Sequence, residues 1–156
     1  MQHPGDKPVF LTPEGRAQIE AELDTLIKVR RQEIAALIGA AAEDGDLSEN
    51  AAYDHAKEEQ ALLEGRIATL EHFLRNAVLI ENHTGSTIGL GSTITIDDDG
   101  EEDTYTIVGP LEAAPTKGRI SNESPLGRAL LMHKVGDEIT VETPAGTRKV
   151  KVKALK

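Results

Sequence analysis

Glu43-Asp44-Gly45-Asp46-Leu47-Ser48-Glu49-Asn50 is a short acidic stretch that separates two long runs with helical periodicity. It places four carboxylates within seven residues. Carboxylates this close together repel one another, and a hard divalent cation relieves that repulsion best. The stretch therefore predicts an antiparallel helical hairpin whose acidic tip delivers metal-binding carboxylates to a site that the chain does not itself contain.

The first helical run has a clear start. Thr12 suits the N-cap, Pro13 suits the first helical position, where no N–H is needed, and Glu14 favours the positive end of the helix dipole. Arg30 occupies a seam position inside the run. The apolar residues that recur with helical spacing are Ile19, Leu23, Leu26, Ile27, Ile34, Leu37, Ile38 and Ala41.

The second helical run has the period of a coiled coil, with alternating spacings of three and four residues. Its seam consists of Tyr53, Ala56, Gln60, Leu63, Ile67, Leu70 and Leu74. Two such helices give a hairpin roughly 40 Å long. Small residues at 39–42 and at 51, 52 and 56 predict that the hairpin is slender near its tip.

The second half of the chain changes to the alternating period of β-strands after Asn82. Residues 92–108 predict two strands around an acidic loop at 97–103, and residues 138–153 predict a second hairpin whose basic strand lies at a sheet edge. Between them we expect a short strand at 119–121 and a helix from Pro125 to Met132, with Ser124 as its N-cap. The sequence thus predicts an α-helical coiled-coil hairpin over residues 1–81 and a small α+β domain over residues 82–156.

Composition narrows the class of protein. The chain has 156 residues, a formal net charge of −10 and no cysteine, so we expect neither disulfides nor a thiolate site. It has no signal peptide and no run of about 18 apolar residues, which favours a soluble cytoplasmic protein. The negative charge argues against affinity that comes from neutralising nucleic-acid phosphates.

Several motifs have an ordinary structural explanation beside the functional one. Asp46-Leu47-Ser48-Glu49 also has the spacing of a capping box, in which Asp46 would cap the second helix, and both interpretations stay open. The six acids of the loop at 97–103 lack the spacing of an EF-hand and are more simply solvated. The histidines are scattered and predict no zinc site.

With these residues in view, the chain resembles the Gre family of transcript cleavage factors, in its GreA branch, over nearly its whole length. The combination of the acidic tip with the segment that begins at Ser124 is specific. The stretches that carry the resemblance are 11–15, 29–34, 45–53, 105–109, 124–131 and 135–139.

The resemblance implies a coiled-coil hairpin followed by an FKBP-like domain. It implies that this domain docks on bacterial RNA polymerase at the rim of the secondary channel, while the tip reaches the polymerase active site and the 3′ end of backtracked nascent RNA. There, Asp46 and Glu49 would help to hold the second Mg²⁺, which the free protein does not bind tightly. Such a factor is a monomer that stimulates the cleavage activity of the polymerase and is not itself an enzyme.

By family position, Glu123, Ser124 and Pro125 are the predicted docking contacts, and Asn50, Tyr53 and Lys57 are predicted to support the tip or contact RNA. The chain departs from the family pattern at two places. Ala40, Ala41 and Ala42 replace basic residues that often contact extruded RNA, which predicts short cleavage products. Met132-His133 stands where the family usually has Gly-Lys, which bears on how the short helix ends.

Three other functions compete with this interpretation. A relative that binds the secondary channel and regulates or inhibits polymerase without cleavage would share the fold, and Glu43 and Asp44 add acidity that such a protein could use. An FKBP-like prolyl isomerase needs an aromatic-lined pocket, but Tyr105 is the only aromatic residue after residue 81. A plain coiled-coil adaptor predicts that substitutions at the tip have no effect.

Overall fold

The computed structural model describes residues 7–43, 45, 50–80 and 85–156. The chain packs as two compact units. Residues 16–76 form one, here called the hairpin unit, and residues 77–156 together with the N-terminal residues through Gly15 form the other, the sheet unit. Packing thus groups the chain differently from the sequence division between residues 81 and 82, since the N-terminal strand belongs with the C-terminal sheet.

Three long helical segments make up most of the helical hairpin. Helix α1 spans Pro13–Thr25, a π-helical turn spans Leu26–Arg30, helix α2 spans Arg31–Glu43, and helix α3 spans Ala51–Arg75. The π-helical turn is a feature that the apolar periodicity did not predict, because one extra residue in a turn leaves the spacing on either side intact. No helix within the described ranges is both long enough and apolar enough to cross a membrane.

The predicted seam forms the core of the hairpin unit. Ile34, Leu63 and Ile67 are buried together, and apolar residues of the first two segments pack around them: Leu23, Leu26, Ile27 and Ile38. Ala56 and Leu70 of the predicted seam are buried as well. A periodicity of three and four residues places these side chains on one helix face, and their burial is what holds two thin helices side by side.

Among the described residues, three arginine–glutamate pairs cross the hairpin, two of them outside the seam. Two are bidentate: Arg31 donates to both carboxylate oxygens of Glu64 at 2.8 Å, and Arg66 donates to Glu22 at 2.7 and 3.0 Å. The third, from Arg30 to Glu59 at 3.0 Å, explains how a cation fits at a seam position. The hydrogen bond from Arg31 lowers the pKa of Glu64 below its ordinary value of 4.5.

This lowered pKa predicts a pH dependence with a definite sign. The contribution of Glu64 to stability is complete above pH 4.5, its ordinary pKa, and it is lost as the pH falls through the lower pKa of the folded protein. We therefore expect Glu64→Gln to flatten the decline of the unfolding free energy between about pH 5 and pH 2. Denaturant unfolding followed by circular dichroism measures this slope.

Glu58→Gln is the matched control, because Glu58 is an exposed glutamate on the same helix. We expect this variant to keep the slope of the wild type. Equal slopes for Glu64→Gln and the wild type would show that the pair with Arg31 contributes nothing to the hairpin in solution.

The sheet unit contains a five-stranded sheet with the order β5-β4-β3-β7-β6. Its strands are β3 (Thr93–Asp98), β4 (Glu101–Val108), β5 (Arg119–Ser121), β6 (Glu138–Thr143) and β7 (Gly146–Leu155). Within this five-stranded sheet, only β4 and β5 pair in parallel. Helix α4 (Pro125–Leu130) buries Leu130 against the face of the sheet that carries its core. The remaining buried core residues are Ile88, Ile94, Ile96, Ile107, Ile120, Ile139, Val141, Val150 and Val152.

Two expectations for this sheet are wrong in detail. The acidic stretch at 97–103 is not a long loop, because only Asp99 and Gly100 turn the chain and the other acids lie within β3 and β4. Both turn residues have positive φ, 55° and 95°, which Asp and Gly tolerate in tight hairpins. The basic strand is not an edge strand either, since β7 lies between β3 and β6, through a long-range pairing that local alternation does not reveal.

The N-terminal strand is fixed to the sheet unit by a buried carboxylate. Strand β1 (Val9–Leu11) pairs in parallel with β2 (Ala77–Leu79), a pair that the sequence did not predict. The side chain of Glu112 is 6% exposed and accepts hydrogen bonds from the backbone N–H and the hydroxyl of Thr12 and from Arg119. Thr12 in turn accepts from the N–H of Gly15 at 3.1 Å, which confirms it as the N-cap of α1.

Gly15 is required by this arrangement, because a Cβ atom there would lie 2.2 Å from the carboxyl carbon of Glu112. The predicted helix start at 11–15 is therefore also the place where the Glu112 carboxylate binds to the chain. Sequence alone identified the cap but gave no sign of the carboxylate, which lies 100 residues away from Thr12.

Glu112→Ala should destabilise the sheet unit by about 3 kcal/mol, because it leaves Arg119 and the Thr12 donors without their buried acceptor. Denaturant unfolding followed by circular dichroism measures the loss of stability. Glu102→Ala is the control, since Glu102 also pairs with a cation, Lys153, but on the exposed surface. A loss for Glu112→Ala no larger than that for the control would contradict a role for this carboxylate in stability.

Candidate functional site

The predicted catalytic carboxylates lie in the connection between α2 and α3, at residues 44–50. Asp46 and Glu49 themselves, with Asp44, lie outside the described residues. Their flanks are described: α2 ends at the exposed Glu43, and α3 begins at Ala51. In chain order, the two carboxylates thus stand between the last residue of α2 and the first residue of α3.

Asn50 is the N-cap of α3. Its side-chain oxygen accepts a hydrogen bond from the backbone N–H of Tyr53 at 3.1 Å, in the usual N-cap geometry. The capping-box interpretation assigned this role to Asp46, and it is wrong for this helix, because the helix begins four residues later than that interpretation requires. The N-cap of α3 is thus Asn50, and the contacts of the acids at 46 and 49 lie outside the described residues.

The Asn50 side chain also reaches the other helix. Its amide nitrogen donates a hydrogen bond to the backbone carbonyl of Ala41 in α2 at 2.6 Å. The sequence indicated a supporting role for Asn50 but gave no sign of this second contact. The only local signal was an asparagine directly before the helical run, which predicts a cap and nothing more.

The other predicted supporting residues lie on α3 beyond the cap. Tyr53 is half-buried, and its backbone N–H makes the bond to Asn50. Lys57 is exposed and donates to Gln60 on the same helix at 3.0 Å. The ammonium of Lys57 therefore lies at the surface below the tip, as its predicted contact with RNA requires.

A shallow apolar groove of about 310 Å³ lies between the helices near the tip. Its walls confirm that small residues face each other there, since Ala41 and Ala56 are both buried. Its titratable lining residues are His55 and Glu59, and the Nε2 atom of His55 lies 3.1 Å from Oε1 of Glu59. The full lining consists of Leu37, Ala40, Ala41, Ala52, His55, Ala56 and Glu59.

The predicted docking residues form the turn between β5 and α4. The hydroxyl of Ser124 donates to the carbonyl of Ser121 at 2.7 Å and accepts from the N–H of Gly127 at 3.0 Å, which confirms Ser124 as the N-cap. These bonds fix the turn, so that the neighbouring Glu123 and Pro125 are both exposed. The structure thus brings all three residues into one rigid, accessible turn.

Met132 shows how the departure at the end of α4 is accommodated. The helix ends at Leu130, two residues earlier than predicted, and Met132 takes a φ of 69°, in the left-handed region that favours glycine. The backbone N–H of Met132 is held by the carbonyl of Ile88 at 2.9 Å, while its side chain is 78% exposed. The methionine thus occupies a glycine-type position without packing to compensate.

Replacement of Met132 by glycine should raise the unfolding free energy of the sheet unit by about 0.5–1 kcal/mol, because the relief of left-handed strain exceeds the backbone entropy cost of glycine and the exposed side chain buries little surface. Met132→Ala is the matched control, since alanine removes the same side chain but keeps the strain. Denaturant unfolding of both variants measures the effect. A gain from alanine equal to that from glycine would attribute the change to the exposed side chain and not to the backbone.

The acidic β-turn and the basic strand of the sheet neutralise each other. Asp98 pairs with Arg148, and Lys153 lies 2.5 Å from Glu102 and 3.7 Å from Asp97. Within the described part of the chain, no three acidic, histidine or cysteine side chains form a group that could hold a metal ion. These ion pairs give Arg148 and Lys153 of β7 partners within the sheet.

Tyr105 lines a cavity of only about 90 Å³ in the sheet unit. Burial, followed by the nearby charge of Asp103, raises the pKa of its hydroxyl. Ligand sites usually have about 300–1,000 Å³, so this cavity is too small for a prolyl peptide. The geometry gives no support to a prolyl isomerase.

Comparisons with known proteins agree with these features. The family model described as "Transcription elongation factor, N-terminal" matches residues 9–79, and that described as "Transcription elongation factor, GreA/GreB, C-term" matches residues 82–156. A helical hairpin with an acidic connection, followed by an α+β sheet domain, is thus the architecture of a transcription elongation factor. The chain belongs to the GreA/GreB family of transcription elongation factors.

Individual relatives match nearly end to end. "Transcription elongation factor GreA" of Chloroflexus aggregans is 51% identical over 94% of this chain and 96% of the relative. The protein of the same name from Bacillus subtilis is 50% identical over 91% and 92%. Among solved structures, GreA factor homolog 1 (Gfh1) of Thermus thermophilus is 36% identical over 96% of this chain and 99% of that chain, with a TM-score of 0.45.

Proposed function

We propose that this protein stimulates hydrolytic cleavage of the 3′ end of backtracked nascent RNA by bacterial RNA polymerase, and so rescues arrested transcription. The observation that carries the proposal is the family match across both halves, combined with the acids Asp46 and Glu49 in the connection between α2 and α3. Since Asn50 caps α3, these acids are not needed to start the helix, which favours a functional role for them.

The chemistry of the tip suits a magnesium ion held jointly with polymerase. Carboxylate oxygens are hard donors of the kind Mg²⁺ prefers, and a site with few protein carboxylates is common for this ion. When bound, the ion supplies activation of the attacking water and stabilisation of the leaving oxygen in phosphodiester hydrolysis. Asp46 and Glu49 would bind and orient it from one side, and their negative charge offsets that of the ion.

The protein itself acts as a stimulating factor and not as a separate nuclease. Hydrolysis of RNA needs an enclosed, preorganised site, and two carboxylates in a connection between helices give no such enclosure. Polymerase would supply the remaining ligands, the RNA and the enclosure. The negative hairpin would confine its contacts to metal and protein, because phosphates repel it.

Docking is assigned to the turn that contains Glu123, Ser124 and Pro125, at the rim of the secondary channel. The turn is rigid because Ser124 bonds to both of its flanks, and Glu123 and Pro125 project from it. A rigid turn loses little conformational entropy on binding. The protein would work in the cytoplasm as a monomer, bound to one polymerase.

The groove near the tip suits short cleavage products. Its lining contributes apolar surface with His55 and Glu59, and Lys57, the nearest lysine or arginine along α3 that the structure describes, lies on the exposed surface. Little positive charge is therefore available to hold a long stretch of extruded RNA. We expect fragments of a few nucleotides at most, in line with weak electrostatic grip.

The tip is tested with isosteric variants that keep its shape. Asp46→Asn and Glu49→Gln should bind elongation complexes like the wild type but cleave about 10- to 100-fold more slowly at limiting Mg²⁺, because each removes one anionic metal ligand. The measurement uses backtracked complexes of the cognate polymerase with RNA labelled at either end, at saturating factor. Short labelled 3′ fragments are expected from the wild type.

Two further variants separate binding from cutting. Glu43→Gln is the matched tip control, since it removes an exposed acid next to the predicted pair and should leave cleavage unchanged. Glu123→Arg should weaken binding and cleavage together, with cleavage restored by more factor. Unimpaired cleavage by both Asp46→Asn and Glu49→Gln, or long 3′ fragments from the wild type, would contradict the mechanism.

A second candidate function is supported by the exposed Glu43 at the end of α2, which adds acidity beside the predicted pair. Such a tip could hold a metal unproductively, and the protein would then occupy the channel and regulate polymerase without cleavage. In the experiment above this function predicts a wild type that binds but does not cut, together with a Glu43→Gln variant that gains cleavage.

A further inference from the structure

The groove near the tip, defined above by its seven lining residues, leaves apolar surface open to solvent. Its buried members are Ala41 on α2 and Ala56 on α3. Leu37 also lines it and is 50% exposed. Further from the tip, the larger side chains of the buried centre close the space between the helices. The groove therefore marks the place where the two helices stop filling that space themselves.

Alanine in the seam forgoes burial that a larger residue would supply. Ala56 belongs to the seam of α3, and the later seam members Leu63 and Ile67 are large and buried. A leucine in a seam buries more apolar surface than an alanine does, so the groove lowers the stability of the free hairpin. The burial is recovered only when a side chain from another molecule enters the groove, because apolar surface gains free energy when it leaves water.

The charged groups beside the groove restrict what can enter it. Glu59 lines the groove, accepts from Arg30 at 3.0 Å and lies 3.1 Å from Nε2 of His55. Arg30 also bonds to Glu33 at 3.0 Å, so two carboxylates share one guanidinium and negative charge is in excess. Residues 16–76 as a whole carry 13 acidic and seven basic side chains. RNA phosphates are repelled by this charge, and so is a second copy of the hairpin.

We propose that the groove receives a bulky apolar side chain from the wall of the polymerase secondary channel, next to a lysine or arginine that faces Glu59 and Glu33. This inference rests on the proposed function, of which it uses the binding to polymerase and not the cleavage. A volume of about 310 Å³ lies at the lower end of ligand-sized pockets, which suits one inserted side chain. A side chain that fills a desolvated pocket with polar residues around it is the usual arrangement of an interface hot spot.

Ala40→Leu fills the groove without a change of charge. Ala40 is an exposed lining residue, and helical side chains lean toward the N-terminus of their helix, so a leucine there extends toward Leu37. Leucine is also a good helix former, and α2 should therefore keep its helix content. Ala35→Leu is the matched control, since Ala35 is exposed on the same helix and lies outside the lining of the groove.

The first readout compares binding with stability. We expect Ala40→Leu to bind elongation complexes of the cognate polymerase about tenfold more weakly than the wild type, as loss of a hot-spot contact does. Its thermal unfolding midpoint should rise by about 2–5 °C, because the added leucine covers apolar surface of the free hairpin. Ala35→Leu should bind like the wild type. Weaker binding by a more stable protein is a result that misfolding does not produce.

The second readout identifies the occupant. A diazirine-bearing amino acid is incorporated at position 37, or at position 35 as the control, and the elongation complex is irradiated. From position 37 we expect cross-links to a polymerase peptide that contains an apolar residue beside a lysine or arginine. Cross-links to RNA, or to a second copy of this protein, overturn the inference because they assign the groove to another occupant.

The charge beside the groove is tested with Glu33→Gln. Removal of this carboxylate should reduce the salt dependence of binding, because it weakens the attraction to the partner's cation. A salt dependence equal to that of the wild type would show that no cation of polymerase faces this side of the hairpin, and would overturn that part of the proposal.

The outcomes separate this inference from the proposed function. A wild type that binds and cuts, with Ala40→Leu bound equally tightly, overturns the inference alone. A wild type that binds without cutting overturns the proposed cleavage, and the comparison of Ala40→Leu with Ala35→Leu still decides whether the groove is used. A wild type that does not bind polymerase overturns both.

Discussion

The packing of two helices along one apolar seam is the constraint on which the hairpin depends. Ile34, Leu63 and Ile67 form its buried centre, and apolar residues of the arm made of α1, the π-helical turn and α2 pack around it in the hairpin unit that the structure describes. A two-helix hairpin has little buried surface per residue, so polar links must fix its details. The arginine–glutamate pairs between the helices and the two hydrogen bonds of the Asn50 side chain supply those links.

Toward the tip, the seam gives way to alanines, and Ala40, Ala41, Ala52 and Ala56 make up most of the walls of the groove there. This produces a narrow end with a shallow apolar groove, and it leaves the anchoring of the connection to hydrogen bonds. The physical consequence is a division of tasks. Aliphatic packing keeps the helices together, whereas Asn50 sets where the connection begins and ends.

The sheet unit handles charge in a different way. The carboxylate of Glu112 is buried, and it fixes the N-terminal strand and the start of α1. Some acids of β3 and β4 lie beside cations of β7 and pair with them, as Asp98 does with Arg148 and Glu102 with Lys153. The rigid turn at Ser124 then remains as the accessible feature suited to a protein partner.

The sequence by itself determined the helical hairpin, its seam, the cap at Thr12 and the α+β second half, because periodicity and caps are local signals. The roles of the tip and docking residues rest on the family resemblance and stay predictions. Only the tertiary structure decided that β7 lies inside the sheet and that the Glu112 carboxylate accepts hydrogen bonds from Thr12. It also decided that Asn50 rather than Asp46 caps α3, and that the same side chain bonds to Ala41. These features join residues far apart in the chain or on different elements, and side-chain spacing carries no record of such contacts.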